Sequence, residues 1–126
     1  MNRRRLLESF TQNCMIDSWS KDEENIEFRG FIDTFVSMET LTAGNARTQL
    51  LTVIASNGSD SQVRINFWAA QAINFNAQLY NRAIITISKG RCERAIAIPN
   101  HVHGLLNKHL RVCNHSVVRI GPGTFN

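Results

Sequence analysis

Polar and apolar positions alternate, drift and realternate along the chain in a way that sketches its elements. In residues 3–16, Leu6, Leu7, Phe10 and Cys14 recur at spacings of three and four, which predicts a short amphipathic helix or a docking tail. A polar run over 18–25 ends it. From 26 to 36 the run IEFRGFIDTFV alternates apolar with polar until Gly30 shifts the phase, predicting a long strand with a bulge or bend at that glycine. A loop is expected over 41–45, a second strand over 48–55 and a turn at Ser56-Asn57-Gly58-Ser59-Asp60, where Asn-Gly is a strong hairpin signal. The third strand, 62–68, places Val63, Ile65 and Phe67 on a buried face and Arg64, Asn66 and Trp68 on an open one. The period then lengthens: Trp68, Ala72, Phe75 and Leu79 mark one face of a helix over 69–80. Strand composition returns over 83–98 with a bend at Gly90. A loop or short helix over 99–108 follows, and a last strand over 110–120 leads into the tail 121–126.

Composition narrows the setting. With 126 residues, 43% of them apolar, the chain suits one domain, expected over 26–120 between an N-terminal arm (1–20) and the C-terminal tail. No stretch approaches the ~18 consecutive apolar residues of a membrane helix, so no membrane partner is expected. Charge is divided unevenly: residues 1–60 hold six basic against nine acidic side chains, residues 61–126 eight against one. The second half suits a polyanion, and eleven of the 14 basic residues are arginine, which binds phosphate as a planar fork. An acidic protein partner is the alternative. Cys14, Cys92 and Cys113 form neither a C-x-x-C pair nor an even set, which suits a reducing compartment. The start, MNRRRLL, meets Glu8 before any apolar core develops, and acids crowd 17–27, so neither a signal nor a transit peptide is expected. A nuclear or cytoplasmic setting remains, the nucleus being the expectation for a DNA-binding chain.

The order strand, strand, strand, helix, strand, strand, with glycine bends in the first and fourth strands, suits a small sheet that curls closed. It is the order of a five-stranded oligonucleotide/oligosaccharide-binding (OB) barrel, mostly β, with its helix between strands 3 and 4. The run VRINFWAAQAINF at 63–75, then Leu79, then AIITISKGR at 83–91, resembles the core of OB-fold domains of the replication protein A class. There an apolar-Trp pair ends the third strand, a helix with Ala and Phe on its inner face follows, and the fourth strand ends near a Lys/Gly/Arg turn. The resemblance is best over 62–94, looser over 26–56 and absent from 1–20. Related proteins include meiotic single-strand binders and telomere-end proteins of the Stn type, among them the insect telomere-capping (terminin) subunits.

In such a fold, single-stranded nucleic acid crosses the second and third strands between the loops after the first and fourth. The resemblance implies phosphate-binding roles for Arg47, Arg64, Lys89, Arg91, Arg94, Lys108 and Arg111, with Trp68 either stacking on a base or supporting the helix. Aromatic supply is thin, so a protein-binding scaffold is the rival to a single-stranded DNA binder. Related proteins assemble with other subunits through helices outside the barrel, and Leu6, Leu7 and Phe10 are the candidates here for partner contact or for plugging the chain's own barrel. His101, His103, His109 and His115 cluster with Cys113 but lack a partnering acid or C-x-x-C, and are read as a solvated loop rather than a metal site. His101 and His103 with Tyr80 as a nuclease is the remote alternative. Nucleophile elbows and P-loops are missing and Glu93 is the one carboxylate after Asp60, so no enzyme activity and no cofactor are expected.

Overall fold

The computed structural model describes residues 2–93 and 108–126. Strict alternation makes β3 (Gln62–Trp68) half buried: Val63, Ile65 and Phe67 are sealed in the core. It pairs antiparallel with β2 (Ala46–Ser56), which pairs antiparallel with β1 (Ile26–Ala43). β1 bends round to meet β4 (Ala83–Glu93), and β5 (His109–Val112) lies between β4 and β3, parallel to β3, which closes the ring β1-β2-β3-β5-β4. β6 (Val117–Thr124) runs along β4 on from β5, pairing Ser88 with Val117 and Ala83 with Thr124.

Gly30 is where β1 changes partner. A Cβ there would sit 2.4 Å from the Ser56 carbonyl oxygen and 2.7 Å from the Phe28 ring, so only glycine lets β2 end this close to the bend. In β4 the irregularity falls one residue before the expected Gly90. Lys89 takes φ 58°, and the register with β1 slips between the pairs Ile26–Gly90 and Phe28–Ile87, a bulge that sharpens the curl.

Three expectations about the strands need correction. The loop expected at 41–45 is instead the tip of a long hairpin: β1 continues through Ala43, and Gly44 (φ 62°) and Asn45 form a two-residue turn. The last strand is interrupted after Val112, where the Cys113 N–H donates to Ser116 Oγ (2.8 Å) and the Ser116 N–H to the Cys113 carbonyl (3.0 Å), making a turn between β5 and β6. The stretch expected as a tail is strand through Thr124, and Phe125 is buried.

The N-terminal arm forms two short helices, α1 (Arg3–Ser9) and α2 (Asn13–Asp17), rather than one. It is sewn to the barrel: the Thr11 N–H donates to the Arg29 carbonyl, the Arg29 N–H to Thr11 Oγ1, and Asn57 Nδ2 to the Thr11 carbonyl. Ile16 and Trp19 enter the main core, Trp19 edge-on to Phe28. Phe10 joins Phe31, Ile84 and Phe125 in a second cluster, with Leu6 and Leu7 partly buried against it. Burying Phe10 stabilises the fold by about 1.5–3 kcal/mol. Helix α3 (Ala70–Gln78) lies on β2 and β3, with Ala72 buried and the Phe75 ring tilted against Phe67 at a centroid distance of 5.1 Å.

Candidate nucleic-acid interface

Cross-strand register sets the outer face of β2, β3, β5 and β4 in rows. One row runs Thr52, Asn66, Arg111, Arg91, and the next Ile54, Arg64, His109, Glu93, while Leu50 pairs with Trp68. Their alternate neighbours Val53, Ile65, Leu110 and Cys92 are buried in the core, so these residues point outward. The face is not open throughout, as its alternation suggested. Thr52, Ile54, Asn66 and His109 are all buried, and the hydrogen bond from Thr52 Oγ1 to Asn66 Oδ1 at 3.2 Å satisfies both of those polar groups under cover.

At one end of the face the β1–β2 hairpin arches past Trp68. Between them lies a pocket of about 250 Å³, walled by Leu41, Thr42, Ala43, Ala46, Thr48 and Trp68 with Arg47 at its side. Sites for whole drug-sized ligands run to about 300–1,000 Å³, so this one suits a single planar group. Trp68 is held there by the left-handed Ala69 (φ 55°), whose N–H donates to the Gln49 carbonyl at 2.8 Å and ties the strand end to the hairpin. The Arg111 guanidinium carbon lies 5.5 Å from the Trp68 ring centre, a cation–π contact. Its Nε is 3.8 Å from Glu93 Oε1.

The remaining candidates are distributed unevenly. Arg64 stands half-buried on the same face of β3, four residues before Trp68; burial pulls its guanidinium below the ordinary value while Glu39 opposes the shift, and the side chain stays charged. Arg91 is held by Asp22, with Nη2 to Oδ1 at 3.1 Å, and that hydrogen bond, then the attraction of the same carboxylate, pushes its pKa up. Lys108 turns to the arm, its Nζ donating to the carbonyls of Asp17 and Trp19. Lys89 is exposed on the bulge. Arg94, His101 and His103 lie outside the described residues. Thus Arg47 and Arg111 meet at Trp68, with Arg64 further along the same face of β3, whereas Arg91 and Lys108 are engaged by the N-terminal half of the chain.

Sequence reasoning did not pair Glu39 or Glu93 with the arginines of this face. Asp22, Glu39 and Glu93 each act on one of the candidate arginines. For Glu93 the signal was present: it is a lone carboxylate in a basic half-chain. Among the described residues no three His, Cys, Asp or Glu side chains gather as a metal site requires, and no helix is long and apolar enough to cross a membrane.

Among solved structures, DNA binding domain A of S. cerevisiae replication protein A superposes with a TM-score of 0.68 at 16% identity, over 89% of this chain and 96% of that one. The fold is the OB barrel. A replication factor A related protein from Methanobacterium thermoautotrophicum matches with TM-score 0.63 and 18% identity over 83% of this chain and 86% of its own. A chain of a replication protein A heterotrimer bound to single-stranded DNA matches with TM-score 0.67 and 13% identity over 82% of this chain and 23% of that one. No family description and no curated protein matches the sequence. At these identities the likeness is one of OB architecture.

Proposed function

We propose that the chain is a non-catalytic, single-stranded-DNA-binding OB barrel, a nuclear subunit of a genome-maintenance or telomere-end protection complex. The observation that carries this reading is the pocket between the β1–β2 hairpin and Trp68, with Arg47 beside it and Arg64 and Arg111 on the adjoining strands. An aromatic wall takes a base, and each stacked base contributes about 1–3 kcal/mol, while the guanidinium groups take phosphates. Support comes from the architectural likeness to a domain described as DNA binding and to a heterotrimer bound to single-stranded DNA; the heterotrimer also motivates protein subunits as partners.

A second reading, a protein-binding OB scaffold with little nucleic-acid affinity, is favoured by the internal engagement of Arg91 and Lys108. Fluorescence anisotropy with labelled single-stranded and duplex DNA across a salt series separates the two. The first expects tighter single-strand binding with a log–log salt slope of about −2 to −3, from three to four phosphate contacts. It also expects Arg64→Glu to weaken binding by about tenfold or more with an unchanged far-UV spectrum. Absence of binding at low salt gives the scaffold reading.

A further inference from the structure

Glu93 is out of place on a face read as phosphate-binding. Among the described residues its Oε1 is buried without a hydrogen-bond partner, and the Arg111 Nε with which it forms an ion pair stands at 3.8 Å, beyond hydrogen-bond range. Trp68 Nε1, on the ring that Arg111 covers, is likewise buried without an acceptor. Unpartnered buried polar atoms are costly and rare, and two of them flanking one guanidinium call for a reason.

For Glu93 the chemistry of the three groups supplies it. A planar cation lies over an indole with its N–H edge toward a carboxylate. Guanine offers the same shape: a flat π-system whose Watson–Crick edge carries two parallel donors, N1–H and the 2-amino group, on a guanidine-like fragment. In a single strand that edge is free. Adenine and cytosine set one amino donor beside a ring-nitrogen acceptor, and thymine sets one N–H between two carbonyls, so each turns lone pairs toward a carboxylate. Cytosine, whose amino group can donate to a glutamate in duplex DNA, meets this site with half the donors of guanine.

We infer that Trp68, Arg111 and Glu93 form a guanine-reading site in which Arg111 holds the place of the base. On binding, guanine stacks on Trp68 and donates its two N–H groups to the Glu93 carboxylate, and the displaced Arg111, 45% exposed at its side chain, takes a phosphate of the same strand. This rests on the single-strand-binding reading and adds base choice to it.

The test titrates the full chain against fluorescein-labelled (dT)12 and the same strand with one central dG, dC, dA or deoxyinosine. The dG strand should bind about tenfold tighter than (dT)12, as a good bidentate pair permits. Deoxyinosine, lacking only the 2-amino group, should lose most of that gain, while 7-deaza-dG, altered on the opposite edge, should keep it. In Glu93→Gln the ratio of dG to dT affinity should fall to about one. Equal binding of dG and deoxyinosine strands, tighter binding of dC than dG, or a preserved ratio in Glu93→Gln overturns the site. The inosine comparison needs no variant and stands even if Glu93→Gln fails to fold. Binding of all strands alike sinks this inference alone, whereas binding of none sinks it together with the proposed function.

Discussion

At the scale of single residues, the environment rather than the residue type decides behaviour. Cys92 and Cys14 are both free thiols, yet burial pushes the Cys92 thiol up, whereas Cys14 is exposed on the N-terminal arm. In the native protein Cys14 should react with a thiol reagent within minutes and Cys92 only after denaturant is added, as mass mapping of the adducts will read. Linkage fixes the sign of the pH effect. The folded state keeps the Cys92 proton after the unfolded chain has lost it, so the stability this thiol contributes is full below the ordinary value of 9.0 and declines as pH rises above it. Urea midpoints at pH 8 and pH 10 should show a smaller loss in Cys92→Ala than in the wild type. Much at this scale was legible in the sequence: the buried faces of β3 and α3 follow from spacing alone. Asn66 was not, because a polar residue in an alternating run reads as exposed until its partner Thr52, fourteen positions away, is known to meet it.

Elements are where backbone pairing overrides composition. The stretch of β1 beyond Val36 is rich in Ser, Thr and Glu and leaves Met38 and Leu41 exposed, yet it remains strand because β2 pairs with it as far as Ala43–Ala46. Sequence periodicity detects burial, and this hairpin stands largely clear of the core, so its length was invisible and with it the pocket that it forms with Trp68. The break at 113–116 was missed for the opposite reason: apolar Leu110, Val112, Val117 and Val118 on either side masked a turn held by Ser116. The arm was read as helical from its apolar spacing, and that spacing also marks what seats it. Phe10→Ala should cost about 3–5 kcal/mol in urea unfolding, since the ring packs against the stacked pair Phe31 and Phe125 at centroid distances of 6.0 and 5.4 Å. A cost under about 1 kcal/mol would mean that the arm is not an integral part of the barrel.

Across the whole molecule, the uneven division of charge along the chain does not become an uneven division in space. The acidic first half folds against the basic second half: Asp22 holds Arg91, Asp33 lies 3.9 Å from Arg82, and Glu39 acts on Arg64. Asp22 is fixed there by more than charge, since its N–H donates to the Cys92 carbonyl and the Cys92 N–H to the Glu23 carbonyl, so the acidic segment lies along the end of β4. A DNA strand reaching Arg91 must therefore displace a carboxylate, and a binder of this build is weaker and less salt-sensitive than its arginine count suggests. Asp22→Asn isolates that effect, because asparagine tolerates the left-handed φ of 68° at this position and the backbone pairing is kept. The variant should bind single-stranded DNA about two- to fivefold tighter, the range expected for releasing one exposed ion pair. Its log–log salt slope should steepen by about 0.7, the contribution of one additional phosphate contact on a single strand. If Asp22→Asn leaves both affinity and slope where they were, Arg91 lies off the path of the strand and the interface is confined to Arg47, Arg64, Trp68 and Arg111.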